Sequence, residues 1–180
     1  RERTVLSAIF GKRVGIKEAY IVRPRSTITK VWEYYRKHTF ASASRPRLLL
    51  DVSQPIEQIV DAFNSFRPDI LVGYGSYLEA FFRTIKFRGI RIHLPRVLFY
   101  GAECMTDHGK ALIEKEFGIP VLSIYNAVEA FKIGYLCEAR RGFHLHEDLC
   151  HVRIMSPNEE DVPPGDQGQV VISNLVNRGT

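Results

Sequence analysis

The chain has 180 residues, of which 45% are hydrophobic and 25% are charged, and its formal net charge is +5. This composition is that of a globular protein with one domain or two small ones. No apolar run reaches the roughly 18 residues that a membrane span requires. Because Arg1–Thr4 also lack the apolar core of a signal peptide, we expect a cytoplasmic protein without a membrane partner.

The cysteine content and the net charge further limit the class of protein and the kind of binding partner. Three cysteines, an odd number, argue against a disulfide framework and favour reduced thiols or a metal site. The positive charge belongs to solvated surfaces, or it attracts the phosphates of a nucleotide, a coenzyme or a nucleic acid. Because no basic stripe is interleaved with aromatic residues, a nucleic-acid partner is the least favoured of these.

The first 45 residues have the least regular pattern. Arg1–Phe10 are compatible with a helix, and Glu18–Val22 have the pattern of a strand that is ended by the following proline. A short amphipathic helix is predicted at Thr29–His38, and a loop is predicted at Ala41–Pro46.

From residue 48 onward, short apolar runs alternate with segments of helical periodicity. Pro55 suits a first helical turn, Ser76 and Glu79 have the spacing of a capping box, and Gly89 and Gly118 each end a helix. The predicted strands are Leu48–Val52, Asp69–Gly73, Arg96–Tyr100 and Val121–Tyr125, and the predicted helices are Ser53–Phe66, Ser76–Phe87 and Thr106–Phe117. Three successive strand–helix–strand units predict a parallel sheet that is flanked by helices.

After Phe131 the sequence pattern predicts successive strands without intervening helices. These strands are predicted at Ile133–Glu138, Phe143–Glu147, Val152–Met155 and Gly168–Leu175. We therefore expect an α/β fold, with a Rossmann-like parallel sheet followed by an antiparallel β segment. The predicted division is an α/β nucleotide-binding layer at residues 1–132 and an antiparallel β subdomain at residues 133–180.

The stretch from Arg96 to Glu129 contains the most informative residues. One predicted strand runs into Gly101-Ala102-Glu103, and the next runs into Tyr125-Asn126-Ala127-Val128-Glu129. Because neighbouring parallel strands end at the same edge, we expect these two segments to lie side by side. Open α/β sheets bind their ligands at that edge.

Three side chains in this stretch allow two interpretations each. Glu103 and Glu129 could hold Mg²⁺ over a triphosphate, since magnesium prefers hard oxygen ligands. Alternatively, each is a helix N-terminal acid that is favoured by the helix dipole. Tyr125 could stack on a purine ring, or it could be buried with its hydroxyl paired.

Phosphate-binding motifs are nearly absent. The sequence contains neither Gly-x-x-x-x-Gly-Lys-Ser/Thr nor Gly-x-Gly-x-x-Gly. Gly73-Tyr74-Gly75-Ser76 precedes a predicted helix and could hold an anion, but a tight strand-to-helix turn is the simpler interpretation.

A second candidate site is a group of thiols and imidazoles, Cys137, His144, His146 and Cys150. On a strand, His144 and His146 point to the same face. A tight hairpin over residues 140–142 would bring Cys137 opposite one of them. Two thiolates and two imidazoles suit tetrahedral zinc, although the spacing is not that of a standard zinc finger. Buried structural thiols and surface histidines are the alternative.

Several short motifs occur in an order that resembles one enzyme family. They are Gly101-Ala102-Glu103, Tyr125 with Glu129 four residues on, Cys137-Glu138, Gly142-Phe143-His144-Leu145-x-Glu147-Asp148, and Gly168-Gln169-Val170-Val171-Ile172-Ser173-Asn174-Leu175. Each motif is weak by itself. From about Ser53 to the end, the ordered set resembles the phenylacetate–coenzyme A ligase branch of the adenylate-forming enzymes.

The resemblance implies an activity and a role for each matching residue. That family makes an acyl-adenylate from ATP and a small-molecule carboxylic acid, and then passes the acyl group to coenzyme A. Gly101–Glu103 would lie along the adenine, and Tyr125 would stack on its face with Asn126 beside it. Glu129 would be the catalytic residue that holds Mg²⁺ against the phosphates. Tyr74 would help to wall the acyl pocket.

The sequence also departs from the family pattern. Asn126 stands where the family usually has Gly, and Val128 stands where it has the Ser or Thr that contacts phosphate. The Ser/Thr/Gly-rich phosphate loop is absent, and the sequence ends before the Arg-Tyr-x-x-Gly-Asp segment and the carboxy-terminal domain with the catalytic Lys. We therefore expect a central piece of a ligase that has no turnover by itself.

Two alternative functions remain open at this stage. One is a non-catalytic adenine-nucleotide-binding or interaction domain with the same fold, which the substitution at Val128 favours. The other is a basic α/β domain that binds nucleic acid. Exposed strand edges also allow association into a homodimer.

Overall fold

The structure, a computed structural model, describes residues 10–11, 15–38, 46–137 and 139–175. These residues belong to two compact units, Arg1–Ile124 and Tyr125–Thr180. The helix predicted at the start of the chain and the loop predicted before residue 46 lie almost entirely outside the described residues. The division predicted at residues 132 and 133 stays a prediction.

In its described residues, the first unit contains a parallel sheet that is flanked by helices. The strands are β1 (Glu18–Val22), β2 (Arg47–Asp51), β3 (Ile70–Tyr74), β4 (Val97–Gly101) and β5 (Val121–Ala127), the last of which continues into the second unit. The helices are α1 (Thr27–His38), α2 (Ile56–Phe66), α3 (Gly75–Arg88) and α4 (Asp107–Phe117). The strand order is β2-β1-β3-β4-β5, and every pair is parallel. The predicted α/β fold is confirmed.

Strand β1 lies inside the sheet, between β2 and β3, which the sequence pattern did not indicate. Its residue Tyr20 is in register with Leu49 on one side and with Val72 on the other. The strand begins with a charged residue, Glu18, which is nevertheless buried. Its carboxylate accepts hydrogen bonds from the Tyr20 hydroxyl at 2.9 Å and from Arg47 Nε at 2.8 Å. This pairing allows a carboxylate to remain in the interior.

Helix α2 begins at Ile56, so the start predicted at Ser53 is wrong. The helix follows Pro55, whose backbone angles (φ −53°, ψ 141°) are extended. Because a proline disfavours helical geometry at the residue before it, the helical conformation is disfavoured at Gln54. The chain instead forms a turn before the helix, in which the Ser53 N–H donates to Asp51 Oδ1 at 2.8 Å. The ends predicted from Gly89 and Gly118 are confirmed, because both glycines adopt left-handed conformations after α3 and α4.

The core of the first unit joins the helices to the sheet. Six of its fully buried side chains are Phe63, Leu78, Phe82, Ile85, Leu98 and Ile113. Burying a side chain of this size stabilises the folded state by about 1.5–3 kcal/mol. Strands β3 and β4 are thus fixed in position by the packed core.

The second unit is antiparallel, as predicted. Strand β6 (Phe131–Leu136) pairs with β7 (Phe143–Leu145), and β8 (Cys150–Met155) pairs with β9 (Gln169–Asn174). A small core forms around Ala130, Ile133 and Cys150. Among the residues that the structure describes, no helix is both long enough and apolar enough to cross a membrane.

Candidate functional site

The carboxyl ends of β3 and β4 lie at one edge of the parallel sheet. Tyr74, the last residue of β3, is in register with Gly101, the last residue of β4. Strand β4 is also paired with β5, with Tyr100 opposite Ser123. Strands β4 and β5 are therefore parallel neighbours. The expected side-by-side placement of the two motif segments stays a prediction.

The segment Gly101–Glu103 forms a tight turn directly after β4. Ala102 has a left-handed backbone conformation (φ 63°), and the Glu103 N–H donates to the Gly101 carbonyl at 2.7 Å. For an L-residue this conformation costs on the order of 1–2 kcal/mol. Strained backbone of this kind concentrates at functional sites. Sequence reasoning missed the turn, because alanine is not a residue that indicates positive φ.

Helix α3 begins against this turn. The Ser76 hydroxyl donates a hydrogen bond to the Glu103 carboxylate. A Cβ atom at Gly75 would lie 2.4 Å from the Glu103 carbonyl oxygen and 2.7 Å from the carbonyl carbon of Cys104. Because α3 starts directly after β3, the interpretation of this glycine segment as a tight strand-to-helix turn is confirmed.

Glu79 links α3 to the start of α4. The capping box predicted between Ser76 and Glu79 is wrong, because α3 begins at Gly75 and, among the described residues, no side chain caps its first turn. The Glu79 carboxylate accepts hydrogen bonds from the Thr106 N–H at 3.0 Å and from the Thr106 hydroxyl at 2.9 Å. It also pairs with Arg83 at 2.7 Å. Desolvation acts to raise the pKa of Glu79, but the bonds from Thr106 and Arg83 together lower it below its ordinary value. The carboxylate is therefore held in its charged form.

Neither of the two predicted magnesium-binding carboxylates lies at a helix N-terminus. Glu103 is exposed in the loop that precedes α4, which begins only at Asp107. Glu129 is exposed in the turn between β5 and β6, so the element that follows it is a strand. The interpretation of both residues as helix N-terminal acids is therefore wrong.

The second unit carries the other residues predicted to contact nucleotide. Tyr125 is 37% exposed, and its ring centroid lies 5.8 Å from that of Phe143. The interpretation of Tyr125 as a buried side chain is therefore wrong. Asn126 and Val128 are exposed, the latter by 77%. The carbonyl of Glu129 accepts a hydrogen bond from Asn174 at 3.0 Å, which ties this turn to β9.

The structure brings two members of the thiol and imidazole group into contact. His144 Nε2 lies 3.1 Å from Cys137 Sγ across the β6–β7 hairpin. The Tyr135 ring packs against both His144 and His146, with centroid distances of 5.3 and 5.5 Å, so the two histidines lie on one face. This agrees with the alternation expected for a strand.

Cys150 has a different environment. It is 1% exposed, and its Sγ lies 3.6 to 3.9 Å from the backbone carbonyls of Lys132, Ile133 and His146. Burial raises the pKa of this thiol, and the charge of Asp148 adds to the effect. Within the described part of the chain, no three histidine, cysteine or acidic side chains are arranged to hold a metal. A zinc site at Cys137, His144, His146 and Cys150 thus stays a prediction.

Tyr74, the predicted wall of an acyl pocket, interacts with the end of β1. Its hydroxyl accepts a hydrogen bond from the Arg23 N–H at 3.4 Å. The Arg23 guanidinium lies 6.0 Å from the centre of the ring. These contacts fix the orientation of the ring, and its role toward a substrate stays a prediction.

Comparisons with known proteins agree with the motif-based resemblance. Over 125 residues, 66% of this chain, the sequence is 31% identical to phenylacetate-coenzyme A ligase from Pseudomonas putida and 29% identical to the same enzyme from Aromatoleum evansii. The chain spans about 28% of the length of these curated relatives. No family model matches the sequence. The resemblance to phenylacetate–coenzyme A ligases is confirmed.

Two of the solved structures with a similar fold are acyl-coenzyme A ligases. A 2-hydroxyisobutyryl-CoA ligase in complex with 2-HIB-AMP and CoA superposes with a TM-score of 0.73 and 16% identity, over 96% of this chain and 40% of the ligase. A long-chain-fatty-acid-CoA ligase from Archaeoglobus fulgidus superposes with a TM-score of 0.67 and 10% identity, over 96% of this chain and 37% of that one. At these identities the comparison shows a shared fold.

Proposed function

We propose that this chain is the nucleotide-binding part of an ATP-dependent carboxylic acid–coenzyme A ligase similar to phenylacetate–coenzyme A ligase. The observation that carries the proposal is the strained turn Gly101–Glu103 at the carboxyl end of β4. It combines a family motif with the sheet edge at which α/β proteins bind ligands. The sequence match to two phenylacetate–coenzyme A ligases supports the same activity.

The proposed roles follow the chemistry of each residue. Gly101–Glu103 present backbone groups along the adenine, and Tyr125 stacks on the ring with Asn126 beside it, since an exposed aromatic face suits a purine. Glu129 offers a solvent-accessible carboxylate for Mg²⁺. When bound, Mg²⁺ would neutralise phosphate charge, which is its usual contribution in phosphoryl chemistry.

The proposed reaction has two steps. A substrate carboxylate oxygen forms a bond to the α-phosphorus of ATP, and pyrophosphate leaves. The coenzyme A thiol then attacks the acyl carbon of the adenylate, and AMP leaves. The residues of this chain contribute by holding the adenosine so that the α-phosphate is oriented for attack.

A second candidate is a non-catalytic adenine-nucleotide-binding domain. The observation in its favour is Val128, which is highly exposed and stands where the family has a hydroxyl for phosphate. An isopropyl group cannot donate a hydrogen bond to a phosphate oxygen. In both cases adenosine is the bound group. A cytoplasmic location and association into a homodimer remain predictions.

The direct test is a calorimetric titration of the 180-residue chain with ATP, with and without Mg²⁺. We expect saturable binding that is stronger with Mg²⁺ and stronger for ATP than for GTP. Equal binding of both nucleotides, or no saturable heat, would overturn the proposal. A parallel titration with DNA tests the third interpretation, which predicts affinity that falls steeply with salt.

A further inference from the structure

Tyr125 and Phe143 form a pair of exposed aromatic rings. Tyr125 lies in β5, Phe143 is the first residue of β7, and both residues belong to the second unit. Their ring centroids are 5.8 Å apart, and the ring planes are inclined to each other by 59°. This is the geometry of a favourable tilted aromatic pair. The contact therefore restrains the orientation of the Tyr125 ring.

The backbone of Phe143 is itself fixed by strand pairing. Phe143 is in register with Leu136 in the antiparallel pair of β6 and β7, so the two side chains lie on the same face of the hairpin. Leu136 is partly buried, and it covers part of that face beside the phenyl ring. The ring that contacts Tyr125 is therefore carried by ordered backbone.

Both rings keep a large part of their surface in contact with solvent. Tyr125 is 37% exposed, and Phe143 is 44% exposed. A ligand ring that covers such a surface removes apolar area from water, which is favourable. The bicyclic ring of a purine is flat and stacks on aromatic side chains. The pair therefore has the chemistry of a stacking site for a base, with a second ring beside the first.

We propose that Phe143 is a positioning residue for the adenine ring, an inference that rests on the proposed function. Its ring holds the Tyr125 ring in the orientation onto which the base stacks. A ring that is already restrained loses less conformational freedom when the base binds, so the affinity is higher than for a tyrosine without this neighbour. Because a phenyl group has no hydrogen-bonding atom, Phe143 favours purines in general and does not select adenine over guanine.

The experiment measures ATP binding by titration calorimetry in the full 180-residue chain and in two variants at position 143. Phe143→Leu keeps an apolar side chain but removes the ring, and we expect it to weaken ATP binding by about three- to tenfold, the range of an aromatic pair. The binding of GTP should weaken by the same factor. Phe143→Tyr keeps the ring, and it should bind ATP like the unaltered chain.

A double-mutant cycle with Tyr125→Ala separates positioning from a general effect on folding. In the Tyr125→Ala background, Phe143→Leu should change ATP affinity little, because the ring on which Phe143 acts is absent. The matched control is Phe87→Leu, which removes a phenyl ring that is 91% exposed on α3 and should leave ATP binding unchanged. Urea unfolding reports whether each variant keeps its stability.

Two results would overturn the role of Phe143 while the proposed function stands. One is ATP binding by Phe143→Leu that equals that of the unaltered chain. The other is a loss of affinity that is the same with and without the Tyr125 ring. In both cases Tyr125→Ala alone would still weaken binding. An unaltered chain that shows no saturable ATP binding would instead overturn the proposed function and this inference together.

Discussion

Glu79 accepts hydrogen bonds from both the backbone N–H and the hydroxyl of Thr106, although the two residues belong to different helical segments. Thr106 in turn caps α4, because its hydroxyl accepts a hydrogen bond from the Gly109 N–H at 2.9 Å. The turn Gly101–Glu103 lies just before this cap in the chain. The segment that follows this turn is therefore anchored to α3 by the contact between Thr106 and the Glu79 carboxylate.

Replacing Glu79 with Gln should destabilise the chain at neutral pH. A hydrogen bond to a charged group contributes about 1.5–3 kcal/mol, and the amide of Gln retains only part of it. Because the pKa of Glu79 is lowered in the folded state, its contribution is present above the ordinary carboxyl pKa and is lost as pH falls through the folded-state value. Urea unfolding at pH 7 and at about pH 3 checks this.

The matched control for that measurement is Glu116→Gln. Glu116 pairs with Lys86 at 2.8 Å, but both side chains are nearly half exposed. Such surface pairs contribute about 0–1 kcal/mol, so this variant should change the free energy of unfolding little. A loss for Glu79→Gln that is the same at both pH values would contradict the account of the Glu79 contact.

Substituting Gly75 with Ala should disturb the turn after β4. The new methyl group would lie 2.4 Å from the Glu103 carbonyl oxygen, which is backbone and cannot rotate away. Overpacking of this kind costs typically about 1–3 kcal/mol, and we expect ATP affinity to fall with it. Gly142→Ala is the control, because nothing lies within 4 Å of its Cβ position. Wild-type stability and ATP binding in Gly75→Ala would show that the close approach is unimportant.

Changing Val128 to Thr should increase ATP affinity. The side chain is 77% exposed, so the substitution is tolerated without repacking. A hydroxyl that donates to a phosphate oxygen would contribute about 1.5–3 kcal/mol, which corresponds to roughly 10- to 150-fold in Kd. Titration calorimetry measures the change, with Val128→Ala as the variant that adds no donor. If Thr and Ala bind ATP equally, Val128 does not face the phosphates.

The 180-residue chain should show no ATP–pyrophosphate exchange above background with a panel of carboxylic acids. Adenylation requires stabilisation of charge around the reacting phosphate. This sequence contains no Ser/Thr/Gly-rich phosphate loop, and Val128 supplies no hydroxyl. Exchange is measured with radiolabelled pyrophosphate. Turnover that depends on one of the acids would show that the residues present suffice for the first half-reaction.

Features set by local chemistry could be predicted from the sequence, and features set by distant contacts could not. Gly89 and Gly118 end their helices because glycine readily adopts positive φ. By contrast, the place of β1 in the sheet is set by backbone pairing with β2 and β3, in which Glu18 is in register with Arg47 and with Ile70.

The candidate site shows the same division. The motifs Gly101–Glu103 and Tyr125 could be found by their order in the sequence. The positive φ of Ala102 and the hydrogen bond from Ser76 to Glu103 depend on the approach of α3. The spacing of Ser76 and Glu79 indicated a capping box, but both side chains bond to residues beyond β4. Hydrogen bonds from Ser76 and to Glu79 therefore form with residues distant in the sequence instead of within the first turn of the helix.

The most direct test of the central claim compares ATP binding by the unaltered chain, Tyr125→Phe and Tyr125→Ala. Stacking of a base on an aromatic ring contributes about 1–3 kcal/mol. The account predicts that Tyr125→Phe binds like the unaltered chain and that Tyr125→Ala binds at least about fivefold more weakly. Binding by Tyr125→Ala that equals that of the unaltered chain, or no saturable binding by the unaltered chain, would contradict it.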